Sequence, residues 1–315
     1  MTILMILVLV LVAVIVMLLV STQRQARQAE AMVPQRGKLA EVAGGSIHHI
    51  DVGKANGTPV VLIHGISGQL QHFDYGMIED LALEHRVIAL DRPGCGYSRR
   101  DSDAQSPLSE QARMIWELLD QLEVEKPVLV GHSLGGAVVL NMALQRPDGT
   151  GAIALLSPAT HAVEGMGEVF KPLMVSPDWL RKVMGATIAV PMAKRTTEEV
   201  LAAVFAPERP RTDFLSRGGA ALGLRPKGFV TSSRDAVAVL PSLQEQQARY
   251  GELSVPGGVL YAAEDGLLDP ASQGEVMQGF GLSYDTLEGR GHMLPITAAK
   301  ECTAFVRKIA AQRRA

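Results

Sequence analysis

The segment VLVGHSLGGAVVL, Val128–Leu140, decides the fold of this chain. It begins as an aliphatic run typical of a buried strand and ends as an apolar helix, with a sharp turn between them. The turn, Gly131-His132-Ser133-Leu134-Gly135, fits the pattern G-x-S-x-G. Side chains at the two glycines would collide with the neighbouring strand and helix. The corner would lift the Ser133 hydroxyl out at the carboxyl edge of a sheet, where a helix N-terminus favours negative charge. The alternative is an idle serine in a glycine-rich turn.

The sequence on either side of this segment alternates between strand patterns and helical patterns. Compact β-branched runs that predict buried parallel strands are TPVVLIHGI, HRVIALDRPG, KPVLVGHS and GAIALLSPA. The segments between them predict helices: FDYGMIEDLALEH, SPLSEQARMIWELLDQLEV and LGGAVVLNMALQR. Ahead of them, LAEVAGG and SIHHIDVG predict two strands joined by a hairpin at Gly44-Gly45. Alternating strands and helices predict an α/β fold, with a mostly parallel sheet flanked by helices.

The alternation stops after GAIALLSPA and resumes with GGVLYAAEDG. The intervening residues 160–240 contain helical patterns and no strand run, so they predict a helical insertion. The core of the fold would then comprise residues 39–159 and 241–312. The insertion is rich in aliphatic residues and in methionine: Met166, Met174, Met184 and Met192.

The N-terminus carries an unbroken apolar run, Ile3–Val20. As a helix it would span about 27 Å, close to the roughly 30 Å of a bilayer core. No basic residue precedes it, and AEA at Ala29–Ala31 is too distant for a typical signal-peptide cleavage site. The sequence therefore predicts a single-pass membrane anchor over residues 1–22, followed by a polar linker over residues 23–38. Basic residues follow the run and favour a cytoplasmic catalytic domain: Arg24, Arg27, Arg36 and Lys38.

The bulk composition limits the classes of ligand. The chain has 315 residues, a formal net charge of −3 and 47% hydrophobic residues, which gives no reason to expect nucleic acid as a partner. Cys95 and Cys302 lie far apart and share no metal-ligand spacing, so they predict two free thiols. We expect neither a metal nor a cofactor, and the oligomeric state stays open.

A serine nucleophile needs a base, and the base needs an orienting acid. His292 follows the last strand-like run, on a loop whose glycines allow a sharp turn. Two aspartates could orient it. Asp265 follows a strand directly, whereas Asp269 precedes Pro270 and has the position of a helix N-cap. The sequence therefore favours Asp265 as the acid.

Donors for an oxyanion are expected in the segment IHGISG, which follows a strand and contains two glycines. The backbone amides of Ile66 and Leu134 are the candidates, the latter because it follows Ser133 directly. An ordinary glycine turn is the alternative for the IHGISG segment.

These motifs together resemble those of the α/β-hydrolase superfamily. The chain order Ser133, Asp265, His292 is that of the superfamily's nucleophile, acid and base. HGISG is similar to its oxyanion loop, and DRPGCGYS, Asp91–Ser98, to its D-x-x-G-x-G-x-S turn. The resemblance covers about Leu39–Gln312, with the insertion at the place of the superfamily's lid.

The resemblance implies a serine hydrolase that cleaves carboxylic esters. The expected ligand is thus a small-molecule or lipid ester. The apolar insertion and the anchor favour a lipophilic, acylglycerol-like ester at a membrane surface. Because the nucleophile is serine, epoxide hydrolase and dehalogenase chemistries of this fold, which use aspartate, are disfavoured. Three alternatives stay open: a cofactor-free perhydrolase, a carbon–carbon bond hydrolase, and a non-catalytic binding module.

Overall fold

A single sheet organises the part of the chain that the computed structural model describes, residues 1–163 and 167–314. Its strands within those residues are Lys38–Val42 (β1), Gly45–Gly53 (β2), Pro59–Ile63 (β3), Arg86–Leu90 (β4), Arg99–Arg100 (β5), Val128–His132 (β6), Ala152–Leu156 (β7), Gly257–Ala262 (β8) and Ser283–Leu287 (β9). The strand order is β1-β2-β4-β3-β6-β7-β8-β9, with β5 paired to β2. Strands β1 and β2 pair antiparallel, as do β2 and β4, whereas every pairing from β4 onward to β9 is parallel. The predicted mostly parallel sheet is therefore confirmed.

Helices cover both faces of this sheet. The α-helices are Thr2–Met32 (α1), Met77–Ala82 (α2), Leu108–Gln121 (α3), Leu134–Gln145 (α4), Asp178–Ala186 (α5), Ala189–Phe205 (α6), Pro226–Gln247 (α7), Pro270–Gln273 (α8), Leu294–Thr297 (α9) and Ala299–Ala310 (α10). Short 3₁₀ helices are Leu70–Phe73, Asp103–Gln105, Glu168–Leu173, Ala220–Leu224, Tyr250–Glu252 and Glu275–Phe280. Side chains of α3 and α4 fill one core cluster, and side chains of α2 and α10 fill another. Alternate residues of β3 supply both clusters, because successive side chains of a strand point to opposite faces.

The corner between β6 and α4 is as tight as the sequence requires. A Cβ atom on Gly131 would lie 2.4 Å from the carbonyl oxygen of Gly135. A Cβ atom on Gly135 would lie 2.2 Å from the carbonyl oxygen of Ile63 on β3. Both obstacles are backbone atoms, which cannot rotate away as a side chain can. The two glycines therefore let the helix start directly against the sheet.

Substitution of Gly135 by alanine should consequently destabilise the protein. We expect a loss of about 1–3 kcal/mol or more in the free energy of unfolding, because the added methyl group overpacks a backbone contact. Thermal unfolding followed by circular dichroism would measure it. Gly279→Ala is the matched control, since nothing lies within 4 Å of a Cβ atom at that position. Equal melting temperatures for the two variants would contradict the steric account.

The region between β7 and β8 is an insertion of helices. Among its described residues, 160–163 and 167–240, it contains α5, α6 and the first part of α7, and no strand. Helix α7 ends at Gln247, seven residues beyond the predicted boundary at 240, and leads back toward β8. Met166, one of the methionines noted in the sequence, lies outside the described residues. Met192 is 58% exposed and Met174 is 43% exposed, so these two do not pack inside the insertion.

Helix α1 is longer than the predicted anchor. It runs without a break from Thr2 to Met32, so residues 23–32, predicted as the first part of a polar linker, continue the helix. Gln, Arg and Ala favour a helix, and tertiary contacts stabilise its second half. Ala29 and Val33 are buried against Leu222 of the insertion. The composition of this stretch indicated a flexible tether because most of its residues are polar. The few residues that are buried form a narrow stripe that the composition does not show.

The first part of α1 is buried against none of the residues that the structure describes. The helix is long and apolar enough to cross a membrane, and none of the 18 most apolar consecutive residues is buried. An N-terminal signal sequence would share these properties. Further along, Thr22 is buried, and its Oγ1 donates a 3.1 Å hydrogen bond to the carbonyl of Thr187, between α5 and α6. Arg225 pairs with Glu30 at 3.1 Å. The exposed apolar half and the docked polar half are thus parts of one continuous helix.

Candidate active site

Ser133 occupies the corner between β6 and α4 with a left-handed backbone, φ 54° and ψ −123°. A residue with a side chain adopts this conformation only when its surroundings enforce it. Here its amide donates a 3.1 Å hydrogen bond to the carbonyl of Leu156 on β7. Its own carbonyl accepts hydrogen bonds from Gly136 at 2.8 Å and Ala159 at 3.1 Å. These bonds fix the serine at the carboxyl edge of the sheet, where its side chain is 6% exposed.

His292 and Asp265 form a hydrogen-bonded pair at the same edge. Nδ1 of His292 lies 2.7 Å from Oδ2 of Asp265, and both side chains are buried. The other carboxylate oxygen of Asp265 accepts hydrogen bonds from the amides of Leu267 at 2.9 Å and Leu268 at 3.0 Å. Three donors thus hold the carboxylate. Because the carboxylate is an acceptor, Nδ1 carries the proton and the imidazole presents Nε2 as an acceptor.

His132 joins this pair to the corner that carries Ser133. Nε2 of His132 donates a 2.9 Å hydrogen bond to the backbone carbonyl of His292, and the two rings lie 5.0 Å apart. Burial, followed by the charge of His292, lowers the pKa of His132 well below its usual value, so this ring is neutral. Within residues 1–163 and 167–314, Ser133 Oγ and His292 Nε2 form no hydrogen bond. Catalytic pairs commonly tighten only when substrate is bound.

The two predicted oxyanion donors have unoccupied amides. Neither the Ile66 amide nor the Leu134 amide donates a hydrogen bond to any residue that the structure describes. Leu134 is the first residue of α4, where N–H groups lack partners inside the helix. Ile66 follows Gly65, whose Cβ position lies only 2.9 Å from Cβ of Ser133. The two amides thus lack a partner in the described residues, one directly after the serine and the other directly after the glycine that packs against it.

Asp269, the rejected alternative for the acid, has a structural position. Its side chain accepts a 2.9 Å hydrogen bond from the amide of Ser272 and caps α8, with Pro270 as the first helical residue. This agrees with the N-cap expected from the sequence. In the described part of the chain, no cluster of three or more His, Cys, Asp or Glu side chains could hold a metal ion.

Sequence reasoning missed Arg92, a fully buried cation next to the site. It follows β4 directly, and its guanidinium donates hydrogen bonds to the carbonyls of His64 at 2.9 Å and Gly65 at 3.0 Å. Its ionic partner is Asp235, on α7 of the insertion. The available signal was weak, because an arginine in a turn after a strand is usually exposed.

His72 lies beside the loop that carries His64 and Gly65, and it should make the free energy of unfolding depend on pH. Its ring is 6.3 Å from that of His64, and both of its nitrogens are buried without a partner among the described residues. Burial lowers the pKa of His72 to about 4, although the charge of Asp91 opposes this shift. The unfolded chain takes up this proton near pH 6.5, whereas the folded protein does not. The contribution of His72 to the free energy of unfolding is therefore fully present above pH 6.5 and is lost as the pH falls toward 4.

Substitution of His72 by leucine should flatten this dependence. Between pH 7 and pH 5 we expect the wild type to lose about 2 kcal/mol more unfolding free energy than the His72→Leu variant. Urea denaturation at the two pH values would measure the difference. The neighbouring Gln71→Leu variant is the control, because Gln71 is equally buried but does not titrate. Identical pH dependences for the wild type and His72→Leu would rule out His72 as the source.

Comparison with known proteins identifies the family. A sequence profile described as the alpha/beta hydrolase fold matches residues 58–298, which is more than half of the chain. The chain therefore belongs to the α/β-hydrolase family. This match includes Ser133, Asp265 and His292.

Relatives with known names carry out several different reactions. The chain is 39% identical over 143 residues to the dihydrolipoyllysine-residue acetyltransferase component of the acetoin cleaving system of Pseudomonas putida, which is 45% of this chain and 36% of that protein. It is 35% identical over 105 residues to 2-hydroxymuconate semialdehyde hydrolase of Pseudomonas sp. strain CF600, covering 33% of this chain and 37% of that protein. It is 31% identical over 118 residues to esterase YbfF of Escherichia coli strain K12, covering 36% and 45% respectively. The chain thus spans less than half the length of these relatives.

Solved structures share the whole fold. An α/β-hydrolase-fold protein from Burkholderia ambifaria superimposes with a TM-score of 0.72 at 21% identity, over 86% of this chain and 97% of that chain. At this identity the likeness shows the fold alone.

Proposed function

We propose that the chain is a membrane-anchored serine hydrolase that cleaves lipophilic carboxylic esters. The observation that carries the proposal is the Asp265–His292 pair, held at the sheet edge next to the strained corner that presents Ser133. A serine in this conformation, with an aspartate-paired imidazole and two unused amides near it, is the arrangement that acyl transfer requires. A binding module would have no need for a strained serine or for free amides.

The proposed reaction begins when His292 Nε2 takes the proton of Ser133 as Oγ attacks the ester carbonyl carbon. The carbonyl oxygen becomes an oxyanion, which accepts hydrogen bonds from the amides of Ile66 and Leu134. Loss of one such donor costs about 3 kcal/mol of transition-state stabilisation in a comparable enzyme. Asp265 stabilises the imidazolium that forms. His292 then protonates the leaving alcohol, and water, deprotonated by His292, hydrolyses the acyl-enzyme to the acid and free Ser133.

The apolar surfaces next to α1 support a lipophilic substrate. Helices α5 and α6 of the insertion both contact α1. They expose large apolar side chains, with Trp179 69% and Val183 53% exposed. Monomeric soluble proteins rarely leave such groups together in water, and membrane interfaces commonly receive them. We therefore propose that α1 anchors the chain and that the insertion lies at the bilayer surface, where esters with long acyl chains reside.

Carbon–carbon bond hydrolysis is a second candidate. It is favoured by the 35% identity to 2-hydroxymuconate semialdehyde hydrolase, although this covers only a third of the chain. The same serine, base and oxyanion donors would serve, because that chemistry also develops negative charge on a carbonyl oxygen. A cofactor-free perhydrolase would likewise use this site.

The decisive experiment is hydrolysis of p-nitrophenyl esters from acetate to palmitate by the full-length protein in nanodiscs. We expect kcat/KM to increase with acyl length, because longer chains bury more apolar surface. Activity confined to acetate would contradict the lipophilic substrate but not the esterase. Absence of activity on every ester, together with turnover of a 2-hydroxymuconate semialdehyde substrate, would favour the second candidate.

Labelling with a fluorophosphonate separates an enzyme from a binding module. We expect the probe to form a covalent bond with Ser133 Oγ, expelling fluoride, with His292 accepting the serine proton. Peptide mapping by mass spectrometry would locate the adduct. An unlabelled protein, or a label on another serine, would contradict the proposed nucleophile.

A further inference from the structure

A groove lies between α1 and α6, away from the candidate active site. Its volume is about 670 Å³. Met17 and Val20, near the end of the apolar run of α1, line it. Three basic side chains also line it, Arg24 further along α1 and Lys194 and Arg195 of α6. Along α1 the lining of the groove thus changes from apolar to cationic.

The position of this groove along α1 matches the boundary of a bilayer. The apolar run ends at Val20, and Arg24 lies four residues further, about 6 Å along the helix axis. The polar layer of a bilayer is several ångströms thick on each side of its hydrocarbon core. With α1 inserted, Met17 would therefore lie at the edge of the acyl chains and Arg24 among the headgroups.

The charges in the groove are not neutralised by the protein. Arg24, Lys194 and Arg195 are exposed, and none forms an ion pair with any residue in 1–163 or 167–314. Gln25, which also lines the groove, has a buried Oε1 atom without a partner there. Three unpaired cations beside an apolar surface match the chemistry of an anionic lipid, whose phosphate and acyl chains lie in the same order.

We propose that this groove binds the headgroup of an anionic phospholipid. Arg24, Lys194 and Arg195 bind the phosphate, and the acyl chains lie along Met17 and Val20. The bound lipid would bridge α1 and the insertion, and so fix the insertion against the membrane. This inference rests on the proposed membrane anchor.

Native mass spectrometry of the full-length protein tests this site. The protein would be released from nanodiscs of equal parts phosphatidylglycerol and phosphatidylcholine, and the retained lipids counted. We expect preferential retention of phosphatidylglycerol, reduced about tenfold or more in a Lys194→Gln, Arg195→Gln double variant. The matched control is Lys54→Gln, Lys300→Gln, which removes two exposed cations elsewhere and should change nothing.

The outcomes separate this site from the anchor itself. Retention of the chain in membranes at alkaline pH with no preference for phosphatidylglycerol would overturn the lipid site alone. Release of the chain from membranes at alkaline pH would overturn both the anchor and the site. Displacement of the lipid by millimolar inorganic phosphate would show a site for free anions and would overturn the lipid assignment.

A second, independent inference concerns Arg92. The carbonyl of Gly65 and the amide of Ile66 belong to the same peptide group. Nη2 of Arg92 donates to that carbonyl at 3.0 Å, and His64 Nδ1 lies 2.8 Å from it. Because the Arg92 amide donates to His64 Nε2 at 2.9 Å, the ring proton is on Nδ1 and is also donated to Gly65. Two donors, one of them a buried cation, therefore fix and polarise this peptide.

Arg92 is in turn linked to the insertion. Its Nη2 lies 2.9 Å from Oδ2 of Asp235 on α7, as a charge pair without the alignment of a hydrogen bond. Asp235 also accepts a 2.8 Å hydrogen bond from Arg100. All three side chains are buried, so their charges interact strongly. A displacement of α7 would therefore remove the counter-charge of Arg92.

We infer that Arg92 is a positioning residue that holds and polarises the Ile66 amide for the oxyanion, and that Asp235 couples this amide to the insertion. This inference rests on the proposed oxyanion role of Ile66. Lysine at position 92 keeps the charge but loses the fork that contacts two carbonyls.

The test compares Arg92→Lys with Arg100→Lys. Arg100 contacts Oδ1 of Asp235, whereas Arg92 contacts Oδ2. We expect Arg92→Lys to lower kcat about 10- to 100-fold with little change in KM, less than or similar to the loss of a whole oxyanion donor. Affinity for a trifluoromethyl ketone, which forms a tetrahedral oxyanion with serine, should fall by the same factor. Arg100→Lys should retain kcat within about twofold.

Equal loss of kcat in both variants, in proportion to their thermal stability, would show a merely structural role. If Arg92→Lys does not fold, Gln111→Met replaces it, because Gln111 accepts a 2.6 Å hydrogen bond from Arg92 Nη1. We then expect kcat to fall a few-fold at constant KM, and an unchanged kcat would overturn the inference. A protein without ester hydrolysis but with the fluorophosphonate label would refute the proposed substrate, and trifluoromethyl ketone affinity would still test Arg92.

Discussion

Replacement of Ser133 by alanine is expected to lower kcat for ester hydrolysis by roughly 10⁴- to 10⁶-fold. Without Oγ no acyl-enzyme forms, and His292 has no nucleophile to deprotonate. The free amides of Ile66 and Leu134 remain, so a small residual rate from oxyanion stabilisation should persist. Alanine also fits the space that serine occupies. The melting temperature should therefore change little, and the loss would report on chemistry.

Ser157 provides the matched control for this experiment. It follows the next strand, β7, is buried, and has the same kind of left-handed backbone, with φ 38°. Its Oγ accepts a hydrogen bond from the Ala262 amide at 3.2 Å, which is a structural contact. Ser157→Ala should lose some stability but retain kcat within a few-fold. Loss of activity in Ser157→Ala but not in Ser133→Ala would place the nucleophile after β7 instead of after β6, and would overturn the proposed mechanism.

The Asp265→Asn substitution is expected to lower kcat by about 10⁴-fold. Its Oδ1 position accepts hydrogen bonds from two amides, Leu267 and Leu268, so the asparagine oxygen will occupy that side. The NH₂ group must then face Nδ1 of His292. Two donors cannot share a hydrogen bond, so the ring proton moves to Nε2. His292 then cannot accept the proton of Ser133.

Asp269→Asn is the control for this loss. Asparagine caps a helix about as well as aspartate, so both stability and kcat should stay close to the wild type. Steady-state kinetics of the two variants over a range of pH would separate a tautomer effect from a fold defect. Full activity in Asp265→Asn would show that the orienting acid is another residue.

Local sequence patterns predicted the sheet and the corner because steric rules act at short range. Glycine is required at positions 131 and 135 because a Cβ atom at either one would clash with backbone atoms of the neighbouring strand or helix. Likewise, Asp269 and Pro270 form a helix cap that sequence alone identifies. The assignment of Asp265 followed by elimination, and the 2.7 Å contact with His292 agrees with it.

Long-range contacts of charged residues were beyond prediction from one sequence. Arg92 is buried because Asp235, more than a hundred residues later, supplies its counter-charge. Glu30 and Arg225 stabilise the second half of α1 from equally distant positions. A polar stretch that packs through one stripe of small residues has the same composition as a flexible tether. Whether such a stretch is a docked helix or a tether depends on the surface against which it packs. The periodicity of the sequence does not identify that surface.

The continuity of α1 has a geometric consequence for how the enzyme would encounter its substrate. A flexible tether would let the catalytic domain sample a hemisphere above the bilayer and reach neighbouring membranes. The helix instead extends from Val20 to Met32, about 18 Å, as a stiff spacer whose side is docked on the insertion. With α1 as the proposed membrane anchor, the height and the tilt of the catalytic domain above the bilayer would be set together. The search for the proposed lipophilic substrate would then be lateral diffusion in two dimensions, limited to molecules of the leaflet next to the catalytic domain.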